Sequence, residues 1–162
     1  MLSKKVILTG SFGVGKTSLF NQFVFSKFSD KYLTTIGVKV NKKVISVGEQ
    51  ELSILLWDIA GEVAQDKVPV SYFMGADGVI FVFDLTRPTT FEHIKRDLDY
   101  LRSILPKGTI KVVGNKKDLV TEEHIQKTME TLEVDFNYLT SAKTGENVEL
   151  LFLELGAEML SE

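Results

Sequence analysis

Val6-Ile7-Leu8-Thr9-Gly10-Ser11-Phe12-Gly13-Val14-Gly15-Lys16-Thr17 is the stretch that decides the fold. Val6-Ile7-Leu8 reads as a buried strand, and the residues after Gly15 read as an amphipathic helix. Between them, Gly10 to Thr17 match the Walker A pattern in the context its mechanism needs. Its glycines let the backbone wrap phosphates with N–H groups inward, Lys16 places a cation on the terminal phosphates, and the Thr17 hydroxyl can coordinate Mg²⁺. The positive end of the helix dipole adds to this.

Outward from that loop, apolar runs alternate with helical periodicity. Gly78 to Phe83 form a strand before a helix from about Phe91, and Ile110 to Gly114 form a strand before a helix around residues 121 to 132. A short strand near Phe136 to Leu139 precedes a last helix whose face is Val148, Leu151, Phe152, Leu155 and Met159. Strand alternating with helix implies a parallel sheet. Val38 to Val47 and Leu52 to Trp57 flank Gly48-Glu49-Gln50, too short a link for a crossover, and so form an antiparallel hairpin at one edge.

Bulk properties bound the function classes. The 162 residues, 44% hydrophobic and 25% charged, suit one soluble domain over residues 1–162. A net charge of −3 without a basic stripe gives no footprint for nucleic acid. With no cysteine, disulfides, thiolate metal sites and thiol nucleophiles are excluded, which suits the cytoplasm. No apolar run reaches the roughly 18 residues needed to span a bilayer.

Two later segments sit at strand ends, where ligands gather in open α/β sheets: Asn115-Lys116-Lys117-Asp118 and Ser141-Ala142-Lys143. With the phosphate loop, Thr35 and Asp58-Ile59-Ala60-Gly61, they stand in an order and spacing that closely resemble the Ras superfamily, nearest in pattern to its Rab branch. The resemblance covers essentially the whole chain. It implies a P-loop NTPase-type three-layer α/β sandwich with a six-stranded, mostly parallel sheet, one antiparallel edge hairpin and helices on both faces. It also implies a guanine-nucleotide switch, a small GTPase that binds GTP or GDP with Mg²⁺.

Carried over residue by residue, the resemblance gives Gly10, Ser11, Phe12, Gly13, Val14, Gly15, Lys16, Thr17 and Ser18 to the phosphates. Asp118 would accept from guanine N1–H and its exocyclic amine, Asn115 would brace the pocket, and the Ala142 N–H, between Ser141 and Lys143, would meet the guanine carbonyl. The Lys116 stem would pack along the nucleotide and Phe28 on the base edge. Tyr32 to Gly37 look like a first switch in which Thr35 ligates Mg²⁺ and reports the γ-phosphate. Asp58 would act on Mg²⁺ through water, and the Gly61 N–H would bind γ-phosphate. Lys16, Thr35, Gly61 and Glu62 are thus the candidate catalytic set.

Two positions depart from the family. Glu62 stands where the family has a glutamine that orients the attacking water, and an ionised carboxylate cannot donate as an amide does. Its charge near the triphosphate predicts slow intrinsic hydrolysis, with Gln65 a weak substitute. Phe12 stands where the family carries a small residue, and its bulk should obstruct an arginine finger. A GTP-binding scaffold with negligible turnover is the alternative these departures raise.

Effectors and regulators are expected at residues about 30–40 and 61–75, where Ile36, Val38, Val40 and Trp57 resemble a contact surface or serve as hairpin core. The chain as given carries no prenylation cysteine and no glycine at position 2 for myristoylation. It is therefore expected to be a cytoplasmic monomer that meets membranes only through a partner or a tail beyond this sequence. His93 and His124 lack metal-ligand spacing and are assigned no chemistry.

Overall fold

A computed structural model describes residues 1–30, 37–59, 67–136 and 138–162. Six strands form one sheet in the order β2-β3-β1-β4-β5-β6. They are β1 (Leu2–Thr9), β2 (Val38–Val47), β3 (Gln50–Ile59), β4 (Gly78–Asp84), β5 (Thr109–Asn115) and β6 (Tyr138–Leu139). The helices are α1 (Lys16–Phe25), α2 (Val70–Phe73), α3 (Ile94–Ile104), α4 (Glu122–Thr131) and α5 (Val148–Ser161). β2 pairs antiparallel with β3, with Val40 opposite Trp57, and the remaining pairings are parallel.

The alternation of side chains along each strand sends residues to two separate cores. Val6 and Leu8 of β1 join Ile80 and Val82 of β4 beneath α1 and α5, where Phe20, Phe23, Phe152 and Leu155 are fully buried. Ile7, Val79, Phe81 and Phe83 face the opposite way, against Phe73 of α2 and Ile94 and Leu101 of α3. All seven residues of β4 are buried, as a strand covered on both faces requires. Phe23 and Phe152 stack with ring centroids 3.6 Å apart, fastening α1 to α5.

The structure departs from the sequence reading at α3 and α2. The helix expected from about Phe91 begins at Ile94, because the backbone at Phe91 (φ −134°) and His93 (φ −116°) is not helical. The four-residue α2 is too short to show a helical period.

This topology creates a crevice. The connection leaving β1 leads toward β3 and that leaving β4 toward β5, so the neighbouring carboxyl ends of β1 and β4 form a topological switch point. The glycine-rich loop leaves β1 there.

Candidate functional site

The loop after β1 is held by contacts to consecutive carbonyls. Arg87 Nη1 donates to the Phe12 carbonyl at 2.9 Å. Lys116 Nζ donates to that of Gly13 at 2.9 Å, and Asn115 Nδ2 to that of Val14 at 3.0 Å. Lys16 Nζ donates to the Gly10 and Ser11 carbonyls at 2.8 and 2.9 Å. Gly15, with φ +101°, begins α1, and a Cβ there would lie 2.3 Å from Asn115 Nδ2. Glycine at 15 is thus required by both backbone conformation and the close approach of Asn115.

The start of α1 differs from that of α4. Thr121 caps α4 by accepting from the His124 N–H, and Glu122 and Glu123 occupy its first turn. Gly15 gives α1 no capping side chain, and its first turn has no acid. The helix end and the loop together leave donors and positive potential suited to an anion.

Lys16 is 5% exposed. Burial pulls its pKa down to about 8, opposed by the charge of Asp58. Asp58 is fully buried near the carboxyl end of β3, and Thr17 Oγ1 donates to its Oδ2 at 2.6 Å. A hydroxyl and a carboxylate are hard oxygen donors of the kind Mg²⁺ takes, with phosphate and water completing its shell. Among the described residues, no group of three or more His, Cys, Asp or Glu could hold a metal. Thr17 and Asp58 supply two hard oxygens side by side, a donor pair that fits Mg²⁺ with phosphate oxygens as further ligands.

The two later loops meet. Asn115 is 1% exposed, and its Oδ1 accepts from Thr140 Oγ1 at 3.0 Å and from the Ala142 N–H at 3.3 Å. Ser141 Oγ donates to Asp118 Oδ1 at 2.8 Å, which orients that carboxylate and leaves it acceptor capacity. The Lys117 N–H donates to the Thr140 carbonyl, and Lys117 Nζ lies 2.6 Å from Glu146, whose hydrogen bond raises the lysine's pKa. Lys116 has φ +69°, uncommon in a residue with a side chain. Lys143 lies 4.0 Å from Asp30.

Other sequence candidates are placed less centrally. Phe12 is 43% exposed. Phe28, 38% exposed, lines a pocket with Asn21, Phe25, Lys27 and Ser29. The Ala142 N–H, assigned by resemblance to a base carbonyl, is already engaged by Asn115. His124 Nε2 lies 2.7 Å from the Leu85 carbonyl, a contact within the fold. Tyr32, Thr35, Ile36, Gly61, Glu62 and Gln65 lie outside the described residues.

Asp84, Arg87 and Thr140 were not singled out from sequence. Asp84 is fully buried, and its Oδ2 is 2.9 Å from Lys116 Nζ. The signal that could have found Asp84 was its place at the end of an apolar strand, beside the phosphate loop.

Comparison with known proteins agrees with this geometry. The Ras family model matches residues 5–161. The chain is 34% identical to Ras-related protein Rab-4A of Bos taurus over 163 aligned positions, covering 98% of this chain and 75% of that one. It is also 34% identical to Ras-related protein Rab-4B of Homo sapiens, covering 98% and 76%, and 33% identical to Rab-4A of Mus musculus, covering 98% and 75%. A phosphate loop at the switch point, two further loops joined through Asn115, and a match across nearly the whole length give one conclusion: the chain belongs to the Ras family and is Rab-like within it.

Proposed function

We propose that this chain, as a single G domain over residues 1–162, is a Mg²⁺-dependent GTP/GDP switch with slow intrinsic hydrolysis. Family membership carries guanine-nucleotide binding and GTPase activity in general. The observation that carries the reading further is the Asn115 amide, which joins the phosphate loop through Val14 to the Ser141–Lys143 loop through Ala142. One buried side chain thereby sets the distance between a phosphate subsite and a base subsite.

Each residue has a distinct task in this reading. Lys16 brings a cation to the phosphates from within the loop. Asp118, oriented by Ser141, accepts from the guanine edge, and adenine leaves that acceptor without donors. Thr17 and Thr35, with Asp58 through water, would hold Mg²⁺, which would supply positive charge against the phosphates. Gly61 binds the γ-phosphate, and Thr35 and Gly61 release their segments when it is lost. Glu62 in place of an amide weakens orientation of the attacking water, so turnover is slow.

Partners would read the β2–β3 hairpin. Val40 is exposed and faces its register partner Trp57, which lies beside Tyr72 and beneath the Lys5 ammonium at 3.9 Å. Such an apolar patch with a cationic border suits a protein effector. Among the described residues, no helix is long and apolar enough to cross a membrane. We place the protein in the cytoplasm as a monomer, with any membrane contact peripheral.

Competition against a fluorescent GDP analogue tests the reading. GTP should displace it at least about 10⁴-fold more effectively than ATP, and equal displacement would contradict it. A scaffold with negligible turnover is the second reading, favoured by the bulk of Phe12 on the phosphate loop.

A further inference from the structure

Arg87, from the connection between β4 and α3, reaches the phosphate loop from outside the sequence motifs. Its Nη1 donates to the Phe12 carbonyl, beside the lysine and amide that hold the next two carbonyls. None of the described peptide bonds is cis, and in a trans peptide the N–H points opposite to the C=O. Holding the carbonyls of Phe12, Gly13 and Val14 on one side therefore aims the N–H groups of Gly13, Val14 and Gly15 to the other.

The connection carrying Arg87 is itself fixed. Asp84 Oδ1 accepts from the Thr86 N–H at 2.8 Å and from Thr86 Oγ1 at 2.6 Å, which turns Oδ2 toward the two cations. Oδ2 lies 2.9 Å from Lys116 Nζ and 3.8 Å from Arg87 Nη1. Thr90 Oγ1 donates to the Arg87 carbonyl at 2.7 Å and accepts from the Asp84 N–H at 2.9 Å. One buried carboxylate thus faces both cations that hold the Phe12 and Gly13 carbonyls. Gly13 has φ +74°, and a Cβ there would lie 2.9 Å from Arg87 Nη1, so the guanidinium occupies space that any side chain at 13 would need.

We propose that Arg87, steadied by Asp84, is a positioning residue for the phosphate loop. Through the Phe12 carbonyl it holds the Gly13 N–H toward the phosphates beyond the first of a bound guanine nucleotide. The inference rests on the nucleotide-binding reading above. Because Arg87 sits on the carbonyl side, its part is orientation of the loop rather than contact with the reacting phosphate.

The test compares GDP with GMP, which carries the same base, ribose and first phosphate but lacks the second. Dissociation constants for both are measured with the full chain, with Arg87→Ala and with Arg87→Lys, alongside near-ultraviolet circular dichroism. Arg87→Ala should weaken GDP by about tenfold and GMP by less than about twofold, with Arg87→Lys falling between. Equal weakening of GDP and GMP would mean a general structural role and overturn the proposal, as would no change in GDP. If Arg87→Ala loses its folded spectrum, the same comparison with Arg87→Lys decides. A wild-type chain that binds neither nucleotide removes the nucleotide reading itself, a result separable from loss of the Arg87 effect alone.

Discussion

Thr17 Oγ1 donates to Asp58 Oδ2 at 2.6 Å, tying the first turn of α1 to the end of β3. On this account the pair is a metal site as well as a structural link, and removing either member should uncouple nucleotide affinity from Mg²⁺. Wild type should lose at least about tenfold in GDP affinity when EDTA replaces Mg²⁺. Asp58→Ala and Thr17→Ala should start weaker and lose less than about threefold. An undiminished response to EDTA in both variants would argue against a metal role.

The depressed pKa of Lys16 gives a signed pH dependence. Below about pH 8 the ammonium is charged in both folded and unfolded chains, and the cost of burying it is fully present. Between about 8 and the ordinary lysine value of 10.5, the unfolded chain binds more protons, so this group's contribution to stability rises with pH. Urea denaturation of the nucleotide-free protein should therefore show Lys16→Met gaining more over wild type at pH 7 than at pH 9.5. Phosphates favour the ammonium, so GDP binding at pH 8.5 should take up protons, read by calorimetry in buffers of different ionisation enthalpy. Proton release there would reverse the assignment.

Base selection should follow Asp118. Its Oδ1 is held by Ser141, so Asp118→Ala removes an oriented acceptor without opening the buried core. GTP should then lose most of its advantage over ATP, from about 10⁴-fold to within about tenfold. Preserved discrimination would move specificity elsewhere.

Much of this was legible because the signals were local. Val6-Ile7-Leu8 and the glycines after it specify a strand, a tight loop and a helix start within a few residues, and the apolar face of α5 repeats clearly from Val148 to Met159. The start of α3 was less legible, because residues 91–93 turn between the 3₁₀ segment Pro88–Thr90 and the helix, with Phe91 and His93 off helical geometry. Asp84 directly follows the apolar run Gly78 to Phe83 and carries no local signal of its own. Its link to Lys116 depends on the parallel register that sets Asp84 opposite Asn115, a long-range pairing no local pattern reveals. Arg87 was hidden in the same way, since its contact on Phe12 spans 75 positions.

Stability should depend on the contact between α1 and α5. Phe152 is fully buried and stacked on Phe23, so Phe152→Ala removes a ring that the surrounding core cannot replace. A loss of about 3–5 kcal/mol is expected in equilibrium urea unfolding of the nucleotide-free chain. A loss under about 1 kcal/mol would show that the two helices repack freely.

Single-turnover hydrolysis of Mg²⁺–GTP by the purified chain tests the proposed slow switch most directly, alongside Glu62→Gln, Phe12→Gly and a nucleotide-binding control. Unassisted Ras, at roughly 3–5 × 10⁻⁴ s⁻¹, sets the scale. The account predicts that wild type binds GTP, turns it over well below that rate, and is accelerated by Glu62→Gln. A wild-type rate already at that value, unchanged in Glu62→Gln, would contradict it.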